Sequence, residues 1–314
     1  MPHKLIRIER VEGDRPARPV MIAVAGDSAA GKTTLTTGLA EALGQDRVTT
    51  ICVDDYHRYD RRERKGLPFT ALHPDCNYVE IIEQHLQLLA TGRPILKPVY
   101  DHDTGELTRP ELVEPHEFVI VEGLLPLHTK LTRACFDISI YLDPAEEVRR
   151  QWKVKRDTDK RGYRTDAVVA ELARREPESA EFIRPQRAYA DIVVRFAPIA
   201  GRHDPPGTPL SAELMLRPTM NYPELSRVLG GNEQRAIHLK LTRDSDGRPV
   251  DTLHIHGYVP REESLVVEKA IWERLGVDAG EVPLTLGNLG AGVRSEPLAI
   301  TQLLLLSHLL DPNR

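Results

Sequence analysis

The 314-residue sequence has little cysteine: Cys52, Cys76 and Cys135 stand far apart along the chain. Three scattered thiols make neither a disulfide framework nor a paired metal-ligand motif, and they suit a reducing compartment. No apolar run approaches the ~20 residues needed to cross a bilayer, so no membrane partner is expected. The opening stretch MPHKLIRIERVEGDRPARP lacks the apolar core of a secretory leader, and its acidic residues argue against an organellar transit peptide. Basic residues are outnumbered, 42 Lys and Arg against 47 Asp and Glu. The resulting net charge of −5 argues against a surface built to coat nucleic acid. Internal repeats and low-complexity tracts are also missing. What is present is ordinary globular composition, 40% hydrophobic and 28% charged. A cytoplasmic enzyme is expected.

Through the first two-thirds, short Val- and Ile-rich runs alternate with amphipathic stretches, the pattern of βαβ units and a mostly parallel sheet. Strands are predicted at 20–25, 48–53, 118–121, 138–142 and 192–196, and helices at 32–43, 78–90, about 145–161 and 167–175. The Pro- and Gly-rich stretch APIAGRHDPPGTP at 197–209 breaks this order. Beyond it, 236–242 and 252–259 alternate around the turn DSDG, a hairpin signal, and helices are predicted at 263–275 and 297–310. The expected domains are residues 1–199 and an α+β extension, 200–314.

Residues 26–33 read GDSAAGKT, which fits G-x-x-x-x-G-K-[ST] between a buried-type strand and a helix pattern. Gly26 and Gly31 let the backbone wrap so that its N–H groups point at phosphate oxygens, and the helix N-terminus adds partial positive charge. Lys32 would reach the β- and γ-phosphates, and Thr33 would ligate Mg²⁺. The nucleotide contacts are therefore expected from Gly26, Asp27, Ser28, Ala29, Ala30, Gly31, Lys32, Thr33 and Thr34. This loop predicts nucleotide binding and leaves the reaction open.

The second strand runs into CVDDYHRYDRRERKG. A carboxylate at the C-terminal end of a strand lies at the sheet edge where α/β ligands bind, which suits Asp54 as a general base, with Asp55 the competing candidate. The cations His57, Arg58, Arg61, Arg62, Arg64 and Lys65 that follow are either a solvated loop or the grip on an acceptor that already carries a phosphate. The segment PVYDHDTGEL adds Tyr100, His102 and Asp103. In FVIVEG, Glu122 is a second strand-end carboxylate, suited to Mg²⁺ or its bound water. On the helix RRQWKVKRDTDKRG, Arg149, Lys153, Arg156 and Lys160 share one face. They form either a solvated face or a lid whose cations stabilise charge developing in transfer.

Taken in order, GDSAAGKTT, CVDDYHRYDR, KPVYDHDTGEL, VIVEGLLPL, FDISIYLD, WKVKRDTDKRGY and FIRPQRAYADIVV resemble the phosphoribulokinases, most nearly the cyanobacterial, plant and archaeal type. The resemblance covers roughly residues 20–196. It implies a P-loop kinase fold, α/β with a mostly parallel sheet flanked by helices, and ATP-dependent phosphorylation of the C1 hydroxyl of D-ribulose 5-phosphate. It further implies Asp54 as base and Glu122 at the Mg²⁺ site, with Lys32 and Arg156 acting on the transferred group. His57, Arg61, Tyr100, His102, Lys153 and Arg161 would be substrate contacts, as would Arg174 and Arg175 on a looser match, with Asp157 holding the cations. The partners implied are ATP and a small sugar phosphate, without nucleic acid or membrane, and the expected assembly is a homo-oligomer, a dimer first. Ala30 stands where plant enzymes carry a regulatory cysteine, which implies that a thiol switch of that kind is absent. A uridine kinase shares the phosphate loop, the PVYD stretch and the basic helix, and remains the alternative; so do a kinase for another sugar phosphate and a non-catalytic nucleotide-binding regulator.

Overall fold

The computed structural model describes residues 18–199, 201–202, 205, 207–218, 220, 229, 236–276, 285–290 and 292–310. It divides into two compact units. One combines Pro16–Lys32 with Arg47–Ala190, and the other combines Thr33–Asp46 with Asp191–Arg314.

In the first unit, strands β1 (Val20–Gly26), β2 (Val48–Cys52), β5 (Phe118–Gly123) and β6 (Ile138–Leu142) pair in parallel. Their spatial order is β2-β5-β1-β6. The sequence dictates this: β1, β5 and β6 are buried along their whole lengths, which only side chains such as those of VMIAVA, FVIV and ISIYL tolerate. Helix α2 (Val79–Ala90) lays Ile82, Leu86 and Leu89 against Met21, Ile51, Val119 and Val121. An antiparallel hairpin, β3 (Ile95–Asp101) and β4 (Glu106–Val113), follows α2. The short helix α3 (Lys130–Ala134) begins on a capping box from Thr129, and α4 (Glu146–Asp159) and α5 (Thr165–Glu178) lead to a π-helical turn, Ser179–Ile183.

In the second unit, α1 (Lys32–Leu43, from its second residue) belongs with the C-terminal segment. Strands β7 (Ile192–Ala197), β8 (Ser211–Leu216), β9 (Ile237–Arg243) and β10 (Pro249–Ile255) make an antiparallel ladder in the order β7-β8-β10-β9. The expected hairpin is present, but its second strand runs from Pro249 to Ile255, earlier than the alternation suggested, because Asp244 and Arg248 pair directly across the turn. Strand β8, set after the Pro-rich stretch, had no counterpart in the pattern. Helices α6 (Arg261–Arg274) and α7 (Glu296–Leu309) follow. No helix among the described residues is long and apolar enough to cross a membrane.

Candidate active site

Parallel pairing places the C-terminal ends of β1, β2 and β5 side by side, since Glu122 is in register with both Val24 and Cys52. The phosphate loop leaves β1 at Gly26. Within it Ala29 takes φ +64°, a left-handed conformation that costs a non-glycine residue strain. Lys32 Nζ donates to the carbonyls of Gly26 at 2.9 Å and Asp27 at 3.0 Å, which holds the ammonium over the loop. Thr33 and Thr34, exposed at the start of α1, continue the motif.

After β2 a single 3₁₀ turn, Val53–Tyr56, carries Asp54 and Asp55 into unlike surroundings. Asp54 Oδ1 accepts from the Leu124 amide at 3.0 Å, just past the end of β5. That approach requires glycine at position 123. A Cβ there would lie 2.1 Å from Val53 Cγ2 and 3.0 Å from Asp54 Oδ1. No cation pairs with Asp54 among the described residues. Asp55 instead meets Lys97 of β3 at 2.5 Å, an ammonium that Glu111 of β4 also reaches at 2.9 Å. Glu122 is buried at the end of β5. Burial first, then the charges of Asp54, Asp55 and Glu122, push the Cys52 thiol well up, so the three carboxylates share one neighbourhood.

The β3–β4 hairpin brings Tyr100 and His102 to the loop after Asp54. Tyr100 packs edge-on to His57 at 4.8 Å between ring centres and to His102 at 5.0 Å. His57 is buried, with Nδ1 2.8 Å from Asn77 Oδ1. The Asn77 amide nitrogen donates to the carbonyls of Ala71 and His73, so its oxygen is the acceptor and His57 Nδ1 is the donor. Nε2 then carries the lone pair. Burial, followed by the charge of Arg64, pulls the His57 pKa down to about 4, and burial likewise lowers that of His102. Both rings are therefore neutral at neutral pH.

Arg61 and Arg64 divide the work differently from the sequence expectation. Arg61 directs its guanidinium at the hairpin turn, donating to the carbonyls of His102 at 2.5 Å and Asp103 at 3.1 Å. Arg64 lies 4.8 Å over the Tyr100 ring and donates to the Tyr100 hydroxyl. Its Nη1 is enclosed and has no hydrogen-bond partner among the described residues. Leaving such a donor unsatisfied costs roughly 1–3 kcal/mol. The sequence placed Arg64 in the charged run without singling it out, and a run of six cations offers no spacing that ranks one above another.

On α4, Asp157 gathers three of the expected cations: Lys153 at 2.5 Å, Arg156 at 2.9 Å and Arg161 at 3.5 Å. Burial lowers the Lys153 pKa to about 8 despite that pairing. Lys153 and Arg175 line a cavity with Asp27 and Ser28 of the phosphate loop. Arg174 does not join them. It turns outward to Glu171 at 2.9 Å, and more than half of its side chain is exposed.

The family model described as "Phosphoribulokinase / Uridine kinase family" matches residues 21–200. The phosphoribulokinase of Synechocystis sp. is 41% identical over 181 residues, which is 58% of this chain and 54% of that protein. A uridine kinase of Chloroflexus aurantiacus is 31% identical over 181 residues, 56% of this chain and 86% of that protein. The chain thus spans about half the length of the curated phosphoribulokinases it matches. Among solved structures, phosphoribulokinase from Rhodobacter spheroides superposes with a TM-score of 0.57 at 17% identity. That match covers 82% of this chain and 98% of the other, and it shows a shared fold.

Proposed function

The chain belongs to the phosphoribulokinase/uridine kinase family, and within it we propose that it transfers the γ-phosphoryl group of ATP to the C1 hydroxyl of D-ribulose 5-phosphate. The enclosed Nη1 of Arg64, which has no hydrogen-bond partner among the described residues, carries this reading. A half-buried guanidinium that lies against the Tyr100 hydroxyl, with one enclosed nitrogen unpartnered among the described residues, calls for an anionic acceptor, and a phosphate ester provides one. An uncharged nucleoside would leave that donor unsatisfied.

In this reading the amides of the phosphate loop and Lys32 hold the β- and γ-phosphates. Asp54, which pairs with no cation among the described residues, accepts the C1 hydroxyl proton as the new O–P bond forms, the bond to the β-phosphate oxygen breaks and ADP departs. The neutral His57 and His102 and the Arg64–Tyr100 pair orient the sugar phosphate, while Arg61 holds the turn that carries His102. Lys153, Arg156 and Arg161 meet the charge that develops on the transferred group.

Among the described residues no three His, Cys, Asp or Glu side chains stand together as a metal cage. The Thr33 hydroxyl and the Glu122 carboxylate are hard oxygen donors. They fit Mg²⁺, which takes one or two carboxylates together with substrate phosphates and water. When bound, the ion would neutralise charge on the phosphates.

The test is ADP release measured with ribulose 5-phosphate, another pentose phosphate and uridine in parallel, on the native protein and on Arg64→Ala. Turnover of ribulose 5-phosphate is expected, with KM raised about tenfold or more by the substitution. Turnover of uridine alone, untouched by Arg64→Ala, would overturn the assignment.

A further inference from the structure

An acidic residue inside a loop that receives a polyphosphate is electrostatically unfavourable unless something holds its charge. Asp27 is such a residue, and it is 7% exposed. Its Oδ1 accepts from the Ser28 amide at 2.6 Å, and its Oδ2 accepts from the Ser179 hydroxyl. Arg149 Nη1 lies 3.5 Å from the same Oδ2 and donates to the Ser28 carbonyl at 3.2 Å. Asp27 therefore joins three pieces of chain: the phosphate loop, α4 through Arg149, and the π-helical turn through Ser179.

The Arg149 end is built to be rigid. Its Nε and Nη2 each donate to Glu146 at 2.8 Å, leaving Nη1 to span to the loop. Its side chain is only 7% exposed. Lys153 follows one helical turn later on the same face, and both line the cavity with Asp27, Ser28 and Ser179. Ser179 opens the π-helical turn immediately after α5, a local distortion that often marks functional positions. Trp152, on the same helix, reaches within 3.6 Å of where a Cβ on Gly31 would stand.

We propose that Asp27, Arg149 and Ser179 form a latch that seats α4 on the phosphate loop and so sets Lys153 and Arg156 in register with the transferred phosphoryl group. These three are positioning residues. They act through α4 and do not touch the reacting atoms. The activity arm of the test rests on the kinase reading above, whereas the optical arm does not.

Asp27→Asn keeps the size and one acceptor oxygen but removes the charge that orients Arg149. It should lower kcat on the order of 10- to 100-fold, the usual consequence of a small misplacement of catalytic groups. The KM for ATP and for the acceptor should stay within about threefold. Arg149→Met should do the same, and the double variant should be no worse than either single one. Ser179→Ala is the milder variant should the others fold poorly, with a smaller fall in kcat in the same sense. Independently of turnover, Trp152 emission, read in a Trp272→Phe background of the nucleotide-free protein so that the second tryptophan is silent, should move to longer wavelength in each variant as α4 lifts from Gly31. Native Trp152 emission together with native kcat in a folded Asp27→Asn protein, or additive losses in the double variant, would overturn the latch. Shifted emission in a protein that fails to phosphorylate ribulose 5-phosphate would instead remove the acceptor assignment and leave the latch standing.

Discussion

Two adjacent carboxylates on one 3₁₀ turn meet opposite surroundings, and the difference is testable one residue at a time. Asp54 accepts a backbone N–H and pairs with no cation among the described residues, whereas Asp55 is committed to the buried Lys97. If Asp54 is the base, Asp54→Asn should lower turnover on the order of 10²–10⁴-fold with ATP binding preserved. Asp55→Asn should act on stability instead. The Lys97 ammonium, 5% exposed, would keep Glu111 and the Pro98 carbonyl, at a cost of about 1–3 kcal/mol read from the urea midpoint, with kcat within tenfold of native. Exchanged outcomes would move the base to Asp55. The sequence narrowed the base to these two positions because a strand end is visible in a run of Val and Ile. It could not choose between them, because Lys97 lies 42 residues away and reaches Asp55 only once β3 folds alongside the turn. The same holds for Arg61 and Arg64. Composition shows a cationic loop, but which guanidinium meets carbonyls and which is left with an idle donor depends on where the hairpin turn comes to rest.

At the scale of elements, the strands of the parallel sheet were legible because burial on both faces leaves unbroken apolar runs. The hairpin strand β4 was not. It reads ELTRPELV, and it is exposed over nearly its whole length, so no alternation marks it. Helix α4 was legible as a cationic helix. What the sequence lacked was the burial of Lys153, and burial is what gives the helix a pH dependence. With its pKa lowered to about 8, the Lys153 ammonium is present below that pH and is lost as pH rises through it. If its charge serves phosphoryl transfer, kcat/KM should fall as pH rises through about 8. Lys153→Arg, whose guanidinium stays charged, should carry that limb to higher pH where the variant folds. An alkaline limb that stays in place in Lys153→Arg would assign it to another group.

For the molecule as a whole, the helix that follows the phosphate loop is held by the C-terminal segment. Helix α7 is buried from Pro297 through Leu309, and among its leucines sits one amide, Gln302, 1% exposed. Its Nε2 donates to the carbonyls of Thr34 at 3.3 Å and Leu35 at 3.4 Å in the first turn of α1, and its Oε1 accepts from the Gly287 amide at 2.7 Å. The amide reaches α1 only because residue 38 has no side chain. A Cβ there would stand 2.0 Å from Gln302 Nε2 and 2.7 Å from its Cδ. Glycine within a helix costs about 1 kcal/mol relative to alanine, so by propensity alone Gly38→Ala would stabilise α1. Overpacking, at roughly 1–3 kcal/mol, and the buried hydrogen bonds it displaces oppose that gain. The second pair is larger, so Gly38→Ala should destabilise the protein by about 1–3 kcal/mol in urea unfolding. Adding Gln302→Ala should make the two changes strongly non-additive, because the methyl group then has room although the Gly287 amide loses its acceptor. A Gly38→Ala protein more stable than the native one would mean that Gln302 moves aside at little cost, and α1 would then owe its placement to its apolar face alone.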